Sequence, residues 1–458
     1  MSQLTAITTS SPNFSRTIQV LAPQIIDLVE VEGAQISSDS FVAISLSLFC
    51  SIQLTKKENM TVLVDEYQKR YGTAEDNATY STERGMELFG ESLTLPCGVV
   101  IGNRLCKAPM SEERADAQGR PNRNLIEMHK VWGHGGFGLN ITGNFMVDGT
   151  AMVAPGNVIL ETDRDMEALK VWATEAQESG KCHCWVQLCH AGRQTSSAEP
   201  VAPSAVPLPW GPPVRALEEN EILDIIKRFV KTAKLCQDAG FGGIQIHCAH
   251  GYLLSQFLSP LVNQRTDKWG GSLENRARIS IEIIKQCRAV LGPKYPIGVK
   301  INSADFQRGG FDESDAMEFV KMLQDATVDL IEVSGGTYEK LAMTDGIEEK
   351  ESTKQREAYF LDFSQKLVAN CTIPVMCTGG WRSRKAMLAA LESKATHLIG
   401  IGRPAIEADL PKKLMENTVT GALVTLPLEG IANFAWCQAQ FDRLAMGLAP
   451  NVNLDITA

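Results

Sequence analysis

Basic residues are in deficit. The 458-residue chain carries 44 Lys and Arg against 54 Asp and Glu, a formal net charge of −10. That balance argues against a nucleic-acid surface and against an anionic membrane surface, while leaving room for a local phosphate site. A regular cysteine framework is also missing. Twelve cysteines are scattered along the chain, as expected of reduced thiols in a cytoplasmic protein rather than of a secreted disulfide scaffold. The mostly apolar run 41–54 is too short to span a bilayer and too far from the N-terminus for a signal peptide. Residues 1–26 are Ser/Thr-rich and contain no acid but one Arg, which is thin support for the alternative of a mitochondrial presequence. Residues 1–85 stand apart as an N-terminal extension to which no function is assigned. The remainder, 86–458, reads as one domain ending in a helical tail.

From Leu93 onward, strand-like apolar runs alternate with amphipathic helical runs. The strands are expected at 104–110, 138–143, 182–189, 243–247, 297–302, 330–334, 375–378 and 397–401. Helical segments lie between them, for example 219–238, 273–290, 313–324, 358–368 and 382–391. Eight strands each followed by a helix predict an α/β protein, a (β/α)8 TIM barrel. Gly133, Gly135 and Gly138 match GxGxxG, but the match follows a helical run and precedes a strand. That is the wrong order for a dinucleotide turn.

The chain is organised around 240–278. Gly243-Ile244-Gln245-Ile246 reads as a buried strand, and it ends in His247, then His250 and Tyr252. Two imidazoles and a phenol at one strand end place hydrogen-bond donors and a proton donor at one mouth. The alternative, two satisfied core histidines, stays open for an isolated HxxH. Zinc is disfavoured because no third ligand follows at the usual spacing. Cys182, His183, Cys184 and Cys189 suggest a metal cluster on paper, but strand alternation points Cys182 and Cys184 to one face and His183 and Cys189 to the other. No metal is expected.

In such a barrel the chemistry sits at the C-terminal strand ends. Those ends carry Pro109-Met110-Ser111, Asn144, Gln187, His247, Lys300, Gly379-Gly380 and Gly402-Arg403. The last two offer unhindered backbone N–H groups and a cation after strands seven and eight, the usual place for a phosphate.

The polar stretch 263–276, Asn-Gln-Arg-Thr-Asp-Lys-Trp-Gly-Gly-Ser-Leu-Glu-Asn-Arg, closely resembles the signature of the old yellow enzyme family, in its HxxH branch. The resemblance runs in order from about residue 90 to 410. It takes in 103–116, 142–144, 187–193, 200–206, the central motif and the glycine ends. It implies FMN as cofactor, NADH or NADPH as reductant, and a small unsaturated substrate, an α,β-unsaturated carbonyl or nitro compound. It implies that Pro109, Met110, Ser111, Asn144, Gln187, Lys300, Gly379, Gly380, Gly402 and Arg403 bind FMN. It implies too that His247 and His250 hold the substrate oxygen and that Tyr252 donates the proton. Gln187 suits the flavin's alternating donors and acceptors. Lys300 would favour the anionic reduced state, although a buried strand lysine is more usually paired to a carboxylate. Ser111 can donate to the carbonyl near N5.

Three positions depart from the family pattern. Ser111 stands where relatives have Thr or Cys, Lys300 where Arg is commoner, and Glu113 where one branch has an active-site Tyr. Only Cys437 lies beyond residue 400, so the four-cysteine iron–sulfur motif of some relatives is not expected. Two other outcomes stay open: a flavin-dependent oxidase, isomerase or desaturase on the same scaffold, and a flavin barrel without turnover. The sequence is compatible with a homo-oligomer.

Overall fold

A computed structural model describes residues 79–196, 199–337, 339, 358, 360–421, 430–451 and 454. The apolar run 41–54 and nearly all of the extension 1–85 lie outside the described residues. Eight strands make the barrel: β1 Leu105–Lys107, β2 Leu139–Met146, β3 His183–Cys189, β4 Gly243–Cys248, β5 Ile297–Asn302, β6 Leu330–Ser334, β7 Val375–Thr378 and β8 Leu398–Ile401. All neighbouring pairs are parallel, and β1 pairs with both β8 and β2, so the ring closes. The (β/α)8 fold is therefore as expected. The outer helices following the successive strands are α1 Arg123–His134, α2 Met166–Gln177, α3 Glu219–Ala239, α4 Leu273–Leu291, α5 Glu313–Asp325, α6 Leu361–Asn370, α7 Arg384–Glu392 and α8 Leu410–Met415. A further helix, α9 Gly430–Ala445, follows the barrel. Among the described residues, no helix is long and apolar enough to cross a membrane, and no cluster of His, Cys, Asp and Glu could hold a metal.

Local chemistry sets the helix limits. A capping box between Glu218 and Glu221 opens α3, and Gly240 closes it in the left-handed region, at φ 92°. Ser272 caps α4 by accepting from the Asn275 N–H. The GxGxxG glycines fall at the end of α1 and before β2, as their order in the sequence requires.

Two strands differ from expectation by more than one residue. The β1 ladder ends at Lys107 instead of 110. Ala108 N–H still donates to Ile401 O, but Pro109 has no N–H to continue. β2 does not stop at Gly143; it runs to Met146 through a shift of register against β3 between Ile141 and Asn144. The displaced Gly143 N–H donates instead to the Glu112 carboxylate, at 2.8 and 3.0 Å. A side chain thus replaces a ladder partner, and the strand resumes with Asn144 opposite Gln187.

That carboxylate is buried with its counter-charge. Lys107 Nζ donates to Glu112 Oε1 and to Ile141 O, both at 2.8 Å, and His129 Nε2 lies 3.2 Å from the same Oε1. Burial alone would raise the Glu112 carboxyl. The Lys107 charge and the His129 hydrogen bond outweigh it and bring the pKa from 4.5 to about 2. Burial pushes His129 down, which favours a neutral ring with its proton on Nε2.

Inward side chains stack in layers. The lowest layer is apolar: Cys106, Leu139, Ile141, Trp185, Leu330, Met376 and Leu398 form one buried cluster with Leu95 and Ile101 of the short hairpin Leu93–Thr94/Val100–Ile101. Trp185 needs room that a side chain on β4 would take. A Cβ on Gly243 would sit 2.6 Å from its ring. Above this floor the inward positions turn polar.

Two stability outcomes follow from these packings. Gly243→Ala forces the Trp185 ring aside and should cost about 1–3 kcal/mol, read as a lower urea midpoint at unchanged slope; an unchanged midpoint would refute the tight contact. Glu112→Gln leaves the Lys107 charge buried without its partner and should cost about 3–5 kcal/mol. The folded pKa of Glu112 lies below its unfolded value. Its contribution is therefore complete above pH 4.5 and is lost as pH falls towards about 2. Across that window the urea midpoint should fall less with acid in the Gln variant than in the wild type.

Candidate functional site

The polar layer is built from four neighbouring strands. Gln187 on β3 stands opposite Gln245 on β4. Lys300 on β5 stands opposite Glu332 on β6, and on its other side opposite His247. All five side chains are buried. Gln187 Nε2 donates to Gln245 Oε1 at 2.7 Å, and Gln245 Nε2 donates to Glu332 Oε2 at 2.8 Å. Lys300 Nζ lies 3.1 Å from Glu332 Oε1. That contact is an ion pair without hydrogen-bond alignment, since Oε1 has no aligned donor. Lys300 is thus the carboxylate-paired strand lysine that the sequence allowed, and it also sits in the layer beneath the mouth.

His247 ends β4 on this inner face, and the chain then turns through His250, at φ 61°, and Gly251, at φ 73°. The turn brings three rings together. His247 is 5.1 Å from His250 and 4.9 Å from Tyr252 between centroids, both edge to face. His247 Nδ1 accepts from the Ala249 N–H at 3.2 Å, so the neutral ring carries its proton on Nε2. His250 is held from two sides. Its Nε2 lies 2.8 Å from Ser334 Oγ, and its N–H donates to Asn302 Oδ1. Burial lowers both imidazoles well below 6.5, and the Lys300 charge lowers them further.

The loop after β1 faces Asn144. Ser111 Oγ accepts from Asn157 Nδ2 at 3.2 Å, and Ser111 O accepts from Gln438 Nε2 of α9 at 3.1 Å. Arg114 ties the same loop to α9 through Gln438 Oε1, Gln438 O and Asp442 Oδ1. Pro109 and Met110 are half-buried on this loop. Glu113 is held in the left-handed region, at φ 55°. Its carboxyl hydrogen-bonds Ser111, and burial pushes its pKa up to about 7 against the pull of Arg114. The buried Asn144 has no partner on Oδ1.

Across the mouth, β7 and β8 are adjacent, with Thr378 opposite Gly400. Gly379 and Gly380 follow at φ 123° and 79°, backbone that glycine adopts without steric cost. A Cβ on Gly402 would meet nothing within 4 Å, and Arg403 opens the short helical turn Arg403–Ile406. The residues fit FMN: an open glycine cradle beside Arg403 for the phosphate, and Asn144 Oδ1 and Lys300 for the polar ring edge.

Sequence reasoning missed Gln245, Glu332, Lys107 and Glu112. The first two carried a signal, a single polar residue inside I-Q-I and I-E-V at the inward positions of buried strands.

The sequence profile of the NADH:flavin oxidoreductase / NADH oxidase family matches residues 94–420. The NADH-dependent flavin oxidoreductase nadA of Aspergillus parasiticus is 37% identical over 346 residues, covering 70% of this chain and 77% of that protein. The NADH-dependent flavin oxidoreductase iliE of Neonectria sp. is 33% identical over 349 residues, covering 69% of this chain but only 45% of that longer protein. The old yellow enzyme homologue of Zymomonas mobilis superposes with a TM-score of 0.63 at 22% identity, over 76% of this chain and 98% of that one; it speaks to the fold alone. With the profile spanning the whole barrel, the chain belongs to the NADH:flavin oxidoreductase / NADH oxidase family, the old yellow enzyme group of FMN oxidoreductases reduced by NAD(P)H.

Proposed function

We propose that this chain reduces the activated C=C bond of α,β-unsaturated carbonyl or nitro compounds. The observation that carries the reading is the convergence of two neutral imidazoles and a phenol at the end of β4. FMN, when bound, would supply the hydride chemistry that links NAD(P)H to the substrate's β carbon. His247 offers its Nε2–H to the substrate oxygen, and His250 offers a second polar contact beside it. Neutral imidazoles polarise that oxygen without protonating it. Tyr252 is then the acid for the α carbon, reached from the same turn that sets the histidines. Pro109, Met110, Ser111, Asn144, Gln187 and Lys300 hold the flavin ring, and Gly379, Gly380, Gly402 and Arg403 hold its phosphate. The relatives named as NADH-dependent flavin oxidoreductases support the reductant half of this scheme.

Anaerobic stopped-flow spectroscopy tests the reading. NADH or NADPH should bleach the bound flavin, and an enone or a nitroalkene should recolour it; no recolouring by either class would sink the substrate assignment. Tyr252→Phe should leave bleaching nearly intact and slow recolouring by an enone about 10²–10⁴-fold. A nitroalkene should suffer less in hydride transfer, because its nitronate is stable without a proton. Equal losses in both half-reactions would make Tyr252 a packing residue. Because both imidazoles stay uncharged near neutrality, binding of a phenolic ligand to the oxidised protein should not show a histidine titration between about pH 6 and 8. A break there that vanished in the double His→Ala variant would contradict the neutral pair.

A further inference from the structure

The row Gln187, Gln245, Glu332, Lys300 has a direction, and one residue sets it. A primary amide can face either way, since its O and NH2 ends have nearly the same shape. A carboxylate cannot, because it only accepts. Glu332 Oε2 stands 2.8 Å from the Gln245 amide, so the Gln245 atom facing it must be Nε2. Gln245 Oε1 then faces Gln187, which must answer with its own Nε2, at 2.7 Å. The remaining atom, Gln187 Oε1, receives no donor among the described residues, and it is the end of the amide left for the cofactor. Two register pairs on four strands thus carry the polarity of one buried carboxylate to a side chain three strands away. The other oxygen of the same carboxylate lies against the Lys300 ammonium.

We propose that Glu332 is the positioning residue of the cofactor site, fixing through Gln245 which end of the Gln187 amide meets FMN and balancing the charge that Lys300 presents to it. The inference rests on the placement of Gln187 and Lys300 at the flavin given above. With Gln187 locked as an acceptor, the site selects a ring edge that donates at that point. With Lys300 paired, the site holds a compensated charge beneath the ring, which limits how far reduction is favoured. Glu332 touches neither substrate nor flavin in this scheme and acts only through its two neighbours.

Two variants separate these roles. Glu332→Gln removes the charge and the enforced polarity together while keeping the shape. Lys300 is then uncompensated, so the two-electron potential of the bound flavin should rise. Gln245 can also turn over, so affinity of the apoprotein for oxidised FMN should fall about tenfold, the scale of one misdirected buried hydrogen bond. Gln245→Met breaks the relay but leaves the Glu332–Lys300 pair; its FMN affinity should fall similarly while its potential stays near that of the wild type. FMN titration of apoprotein, dye-equilibrated reductive titration and thermal melts read these outcomes. A merely structural Glu332 would lower the melting temperature without raising the potential, and that result overturns the proposal. So does a folded Glu332→Gln variant with unchanged affinity and potential. Should Glu332→Gln fail to fold, unchanged FMN affinity in Gln245→Met alone would overturn it. Wild-type protein that binds no FMN would instead refute the functional reading on which the inference stands.

Discussion

A carboxylate with no solvent exposure, Glu332, sits in the middle of the barrel, and the interior is arranged around that fact. Burying a charge is costly unless it is paired and hydrogen-bonded. Lys300 supplies the counter-charge from the next strand, and Gln245 supplies a hydrogen bond from the one beyond. Apolar packing below and open polar positions above give this layer its height within the barrel. The turn at His247–Tyr252 leaves β4 directly above it, so the same register that pairs Lys300 with Glu332 also sets His247 beside Lys300.

A second carboxylate does comparable work outside the barrel. Glu112 joins three elements, the loop after β1, the bulge of β2 and helix α1, by accepting from Lys107, the Gly143 N–H and His129. The bulge moves Asn144 into register with Gln187. From the far side, α9 holds the Ser111 loop through Gln438 and Arg114. The mouth is thus braced by side chains distant in sequence rather than by the strands alone.

That distance explains what could be read in advance. Strands β5, β6 and β7 fall on the expected residues because each is a closed apolar run whose limits are local. β1 and β2 departed because a proline and a distant carboxylate decide where their ladders stop. At the site, His247, His250 and Tyr252 were legible from one short stretch, and the rings do meet. Glu332 and Gln245 were not singled out, since their partners lie 87 and 58 residues away. The stretch 263–276, which carried the resemblance most strongly, is largely stitching. Asn263 donates to Phe257 O and Trp269 O, Arg265 to Pro203 O and Leu217 O, and Arg276 to Leu258 O. Its chemistry is to hold the loops around the β4 turn.

The apolar floor has a consequence for traffic. Trp185 lies over Gly243 and Gly298, and the Leu93–Thr94/Val100–Ile101 hairpin packs against that cluster from beneath. The barrel is therefore a well and not a tube. Whatever reacts above the polar layer arrives and departs through one opening. The reducing nicotinamide and whatever the flavin reduces share that way in, so an excess of the first obstructs the second.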